Sequence, residues 1–208
     1  SPINFDPRRP LFPISYPENY SWELADNIGL YHTQGMPVDT WSLNEKRLSE
    51  DDLLFQAEII FKEHLSMLDF ELNRFNRGVL FCYLGVLDTI QHMFWRYRDP
   101  EHPLYEKNAP QKYKDTIEVW YKVMDGALGE AMQRLNKDDT LIVLSDHGFN
   151  TFRRVVHVNS WLRENGYLYL NAGAKTGGEL LQDIDWSRTR AYAVGFGVKF
   201  LAKGALVP

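Results

Sequence analysis

One cysteine, Cys82, is all the chain carries, and that rules out an internal disulfide framework. Positive charge is scarce too: 23 Lys and Arg stand against 28 Asp and Glu, for a formal net charge of −5. A broad nucleic-acid footprint needs clustered cations, so this balance argues against one. No apolar run reaches the roughly 18 residues of a membrane-spanning helix. Repeats and low-complexity tracts are absent. No secretory signal stands at the opening "SPINFDPRRP", which also lacks a Met, so the compartment stays undecided and a cut piece is expected. Cys82 lies in an apolar run and reads as a buried small hydrophobe.

What is present is the make-up of a globular protein, 44% hydrophobic and 25% charged. Residues 1–48 contain "DPRRPLFPISYPENY", rich in Pro and aromatics, and read as a loop-rich segment packed on the core. Residues 49–208 read as the α/β, metal-site region of the same single domain. A long helix is expected over 49–76, with Ser49 and Asp52 as a capping-box-like start. Its apolar line runs Leu54, Phe61, Leu65, Leu68, Leu72, Phe75, and Arg77-Gly78 ends it. A second helix is expected over 110–135, on the line Tyr113, Ile117, Trp120, Met124, Leu128, Ala131, Leu135, with Asn108 as N-cap. Val158–Glu164 reads as a short helix stopped by Asn165-Gly166.

Two continuous apolar runs alternate with these helices: "VLFCYLGVL" at 79–87 and "TLIVLS" at 140–145. Runs of this kind are typical of central parallel strands covered on both faces. Later strands are expected at "YLYL" and "RAYAVGFGVKF". The order helix, strand, helix, strand predicts an α/β fold: a parallel or mostly parallel sheet with helices on both faces.

Ligands in such sheets bind beyond the carboxyl ends of the strands. Asp146-His147 follows the second run, and Asp88 follows the first, with His92 four residues on. If residues 88–95 start a helix, Asp88 and His92 project to one side. Carboxylate oxygen and imidazole together suit Zn²⁺ or Mn²⁺. His157, in "RRVVHVNSWL", is a candidate to touch substrate or support a ligand. The bland alternative makes Asp88 and Asp146 caps and polar-turn residues in a non-catalytic interaction domain whose aromatics include an exposed patch. His32, His64 and His102 read as structural.

"VLDTIQHMFWRY" and "IVLSDHGF" resemble the two C-terminal metal motifs of the type I phosphodiesterase/nucleotide pyrophosphatase branch of the alkaline phosphatase superfamily. "HVNSWLRENGYL", "DWSRTRAYAVGFG", "ISYPENY", "GLYHTQGMPVDTW" and "DDLLFQ" resemble the segments around them, so the likeness covers most of the chain. The resemblance implies an alkaline-phosphatase-like fold and a metal-dependent phosphoric-ester hydrolase acting on a small phosphate ester or nucleotide. A phosphomutase or sulfatase of the same superfamily is the runner-up. It implies two divalent metal ions, Zn or else Mn, one on Asp88 and His92 and the other on Asp146 and His147. A Thr or Ser nucleophile activated by one metal is implied as well. That nucleophile, an early metal Asp and a late metal His are not identifiable here. The chain therefore resembles a central-to-C-terminal piece with half-sites for metal and no appreciable turnover by itself.

Overall fold

The computed structural model describes residues 4–151, 153, 156–178 and 180–193. Among them the helices are α1 (Tyr20–Ile28), α2 (Thr40–Asn44), α3 (Glu50–Arg74), α4 (Val86–Arg98), α5 (Gln111–Lys114), α6 (Thr116–Gln133) and α7 (Val158–Glu164). The chain divides into two compact units, residues 1–153 and 154–208.

Local chemistry explains the helix starts. Ser49 accepts from the Asp52 amide while the Asp52 carboxylate accepts from the Ser49 amide, a complete capping box at α3. Asp39 caps α2 by accepting from the Ser42 amide at 2.9 Å. α7 begins after His157 and ends at Asn165, and Gly166 follows in the left-handed region at φ 73°, which favours glycine.

The first unit is a helical core. α4 packs against both α3 and α6, and α1 lies on α3. The row Val86, Ile90, Phe94, Tyr97 steps along one face of α4 and is fully buried. It meets Leu53, Ala57, Ile60 and Phe61 of α3 and Ile117, Trp120 and Ala127 of α6. Across the α3–α4 contact, Tyr97 Oη donates to Glu50 Oε1 at 2.6 Å, and Arg96 pairs with the same carboxylate at 2.7 Å. The second unit has its own small core of Leu168, Leu181 and Ile184.

Several expectations are corrected. Among the described residues there is no parallel sheet, only an isolated antiparallel bridge between Leu170 and Ile184, so the α/β, alkaline-phosphatase-like sheet expected with helices on both faces is not there. The apolar runs at 79–84 and 140–145 form no regular structure, and residues 86–87 belong to α4. The runs are also exposed rather than central: Val79 94%, Phe81 74%, Ile142 72% and Leu144 71% accessible. Cys82 is exposed with them. A parallel strand needs a hydrogen-bonding neighbour and cover on both faces. Here α3, α4 and α6 bury their apolar faces on one another, and neither run gains either.

The smaller corrections are in register. The buried residues of α3 are Leu53, Ala57, Ile60 and Phe61: Phe61 is on the expected line, whereas Leu53 and Ile60 stand one residue before Leu54 and Phe61. The 110–135 helix is two pieces broken at Asp115, and Pro110 rather than Asn108 stands at the start. "YLYL" supplies the Leu170 half of the bridge, and most of "RAYAVGFGVKF" lies outside the described residues.

Candidate metal centre

α4 has two working faces. The row Val86, Ile90, Phe94 faces the core, and Asp88 and His92, two residues off that row, fall on the other side. One helical turn separates them, and Asp88 Oδ1 lies 3.4 Å from His92 Nε2. The start of α4 is tight: a Cβ on Gly85 would stand 2.7 Å from the Tyr83 ring, which folds back over it.

The irregular run 140–145 brings His147 to the same place. The C-terminal ends of α3 and α6 are tied together, with Arg134 Nη1 donating to Asn73 at 3.1 Å. The two apolar runs leave from there, and both end at the cluster. His147 Nε2 stands 3.5 Å from Asp88 Oδ1. Its Nδ1 faces the Gly148 carbonyl at 3.0 Å. With the proton on Nδ1 donated to that carbonyl, Nε2 presents its lone pair toward Asp88. The Ser145 hydroxyl donates to the His147 carbonyl and braces the turn.

Asp88, His92 and His147 thus form a group whose ligand atoms all lie within 4.8 Å of one another. Asp146 is outside it: its carboxylate is 83% exposed and 3.9 Å from His147 Nε2. Of the sequence candidates, the structure gathers Asp88, His92 and His147 and leaves Asp146 beside them. His157 belongs to the second unit, exposed at the N-cap of α7. Tyr83 marks the rim: burial first, then the charges of Asp88 and Asp146, push its phenol above the ordinary value.

Sequence reasoning passed over two neighbours. Phe149 packs against both imidazoles, and Thr151 bonds to α4 through Trp95 and Asp99. The signal available was their place directly after Asp146-His147, but an aromatic and a Thr in a loop carry no ligand chemistry that would draw notice.

The donor set fits a divalent cation. A tetrahedral site with bonds of about 2.0–2.1 Å has ligand–ligand edges of about 3.3–3.4 Å. The two edges from Asp88 Oδ1, 3.4 and 3.5 Å, are close to that length, and the group as a whole spans up to 4.8 Å, so the imidazoles would draw in on an ion. Three protein ligands leave a position open for water or substrate.

A family model described as type I phosphodiesterase / nucleotide pyrophosphatase matches residues 12–198. No curated protein and no solved structure matches the chain.

Proposed function

Because the chain belongs to the type I phosphodiesterase / nucleotide pyrophosphatase family, we propose that Asp88, His92 and His147 hold a divalent cation that serves phosphoric-ester hydrolysis. The observation that carries this reading is the pair of 3.4 and 3.5 Å edges from Asp88 Oδ1 to the two imidazole nitrogens. Carboxylate with imidazole favours Zn²⁺, with Mn²⁺ as the alternative. When bound, the ion supplies Lewis-acid polarisation of a phosphoryl oxygen. Asp88 supplies the negative charge that draws the cation, and His147 is held in the ligating tautomer by Gly148. Asp146, exposed beside the trio, is the residue available to a second ion. The substrate class that goes with this family is a small phosphate ester or nucleotide.

The nucleophile comes from polypeptide beyond these residues in this reading. The Ser and Thr hydroxyls near the cluster are occupied or turned away: Ser145 bonds to the His147 carbonyl, Thr151 to Trp95 and Asp99, and Thr89 is buried. The uncovered apolar runs at 79–84 and 140–144 support the same view, since their exposure is that of surface made to be covered.

Calorimetric titration of the purified chain with Zn²⁺ tests the centre. We expect binding that weakens more than tenfold in Asp88→Asn and in His147→Gln. Unchanged affinity in both variants would sink the assignment. The chain by itself should not turn over a chromogenic phosphodiester. Robust turnover abolished by Asp146→Ala would place the nucleophile within residues 1–208.

A further inference from the structure

Phe149 sits where nothing in the ligand chemistry requires an aromatic. Its ring centroid lies 4.8 Å from that of His92, at 71° between planes, and 5.3 Å from that of His147, at 58°. A third side chain backs it: Trp95, one turn of α4 beyond His92 and two beyond Asp88, stacks on it at 6.0 Å and 25°. These are the separations and tilts that aromatic pairs prefer. The ring is half-buried and does not belong to the core that holds α3, α4 and α6 together.

The loop that carries Phe149 is clasped to the same helix by polar contacts. Trp95 Nε1 donates to Thr151 Oγ1 at 2.8 Å. The Thr151 hydroxyl donates in turn to Asp99, which caps the C-terminal end of α4. Arg153 pairs with Asp99 at 3.2 Å and with Glu101 at 2.5 Å. Trp95 therefore serves twice, as the floor under Phe149 and as the anchor of Thr151.

His147 needs such support more than His92 does. His92 stands on a helix whose backbone is fixed by its own ladder. His147 stands on an irregular run, with half of its side chain exposed. An exposed imidazole on a loop is free to rotate unless something packs on its ring. A metal site needs its ligands held in place before the ion arrives, because each freely rotating ligand weakens binding.

We infer that Phe149 is a positioning residue: its ring, packed against both the His92 and His147 imidazoles, which themselves meet edge-on at 6.2 Å, and held down by the Trp95–Thr151–Asp99 clasp, fixes both Nε2 atoms toward Asp88 in the metal-free protein. The inference rests on the metal-centre reading above and adds a residue that does not touch the ion. Phe149→Tyr keeps the ring, Phe149→Leu keeps bulk without the ring face, and Thr151→Val keeps the shape of the clasp while removing its hydrogen bonds.

The test reads the metal-free protein first. Imidazole proton resonances of His92 and His147 should carry ring-current shifts and nuclear Overhauser contacts to Phe149. These persist in Phe149→Tyr, vanish in Phe149→Leu and weaken in Thr151→Val. Zn²⁺ affinity, measured by competition with a chromogenic chelator, should then fall about tenfold or more in Phe149→Leu and stay within about threefold of wild type in Phe149→Tyr, the range in which support of a ligand is felt. Thermal stability of the metal-free variants should stay near wild type, which separates positioning from general unfolding. Equal Zn²⁺ affinity in wild type and Phe149→Leu, with His147→Gln still weak, overturns this inference and leaves the metal centre standing. A wild-type chain that takes up no Zn²⁺ overturns the metal centre and this inference with it.

Discussion

His64 is a residue whose bland role has a measurable consequence. It lies on α3 with Nδ1 buried and without a hydrogen-bond partner. Burial holds its pKa below the ordinary histidine value, with the His32 ring acting in the same direction and the Glu63 charge opposing both. A histidine with a lower pKa folded than unfolded binds more protons in the unfolded chain. Its contribution to stability is intact above the unfolded value of about 6.5 and is lost as the pH falls through it. Denaturation midpoints followed from pH 7.5 to 5 should therefore decline, and His64→Leu should make the decline shallower. An unchanged slope in the variant would show that His64 is not the group responsible. His32, beside it, is engaged by the Glu63 carboxylate at 2.9 Å, and His102 Nδ1 accepts from the Leu104 amide at 3.0 Å, so these three histidines have local partners or burial rather than a place in the cluster.

At the scale of elements, α3 and α4 carry the fold. Phe94 and Ile90 are fully enclosed, against Leu53 and Ala57 of α3. Phe94→Ala removes a ring from a packed site and should cost about 3–5 kcal/mol, read as a shift in urea midpoint at constant slope. Phe55, on the outer face of α3 and 65% exposed, supplies the control: Phe55→Ala should stay within about 0.5 kcal/mol. Comparable losses in the two variants would mean that the buried row of α3 is misplaced. The start of α3 and the Asn165-Gly166 stop of α7 were legible in the sequence because capping signals are local. The break between α5 and α6 was not. Tyr113, Ile117 and Trp120 keep one apolar line through it, and only the local bonds betray the turn: Gln111 Nε2 to Asp115 at 2.8 Å and Thr116 Oγ1 to the Lys112 carbonyl at 2.7 Å. The shift of part of the α3 buried row, at Leu53 and Ile60, has a similar cause. Apolar residues line two adjacent faces of that helix, and the elements packed on it, α1, α2 and α4, select between them.

Over the whole molecule the prominent feature is uncovered apolar surface. The runs 79–84 and 140–144 place Val79, Phe81, Ile142, Val143 and Leu144 in contact with solvent. An exposed apolar patch of more than a few hundred Å² marks an interaction surface or a tendency to aggregate. The purified chain should bind an apolar fluorescent dye and scatter light increasingly with concentration. Val79→Lys combined with Ile142→Lys should reduce both signals and leave Tm within a few degrees, since neither side chain is packed. A fall in Tm of ten degrees or more would show that the runs are covered in solution. No helix among the described residues is long and apolar enough to cross a membrane, so membrane insertion of a helix does not explain the exposure.

By itself the sequence determined the helices that local bonds define, the one-turn spacing that puts Asp88 and His92 on one side of α4, and the motifs by which the family is known. Helical hydrogen bonds close between residues four apart, so caps and periodicity suffice to read them. Tertiary structure decided the rest. A sheet needs partners far along the chain and cover on both faces, and two apolar runs that looked central stayed unpaired because the described residues provide neither. It also decided that His147 rather than Asp146 faces Asp88, and that Phe149 packs against both imidazoles. Neighbouring side chains on an irregular run point where packing sends them, and no spacing rule in the sequence fixes that direction.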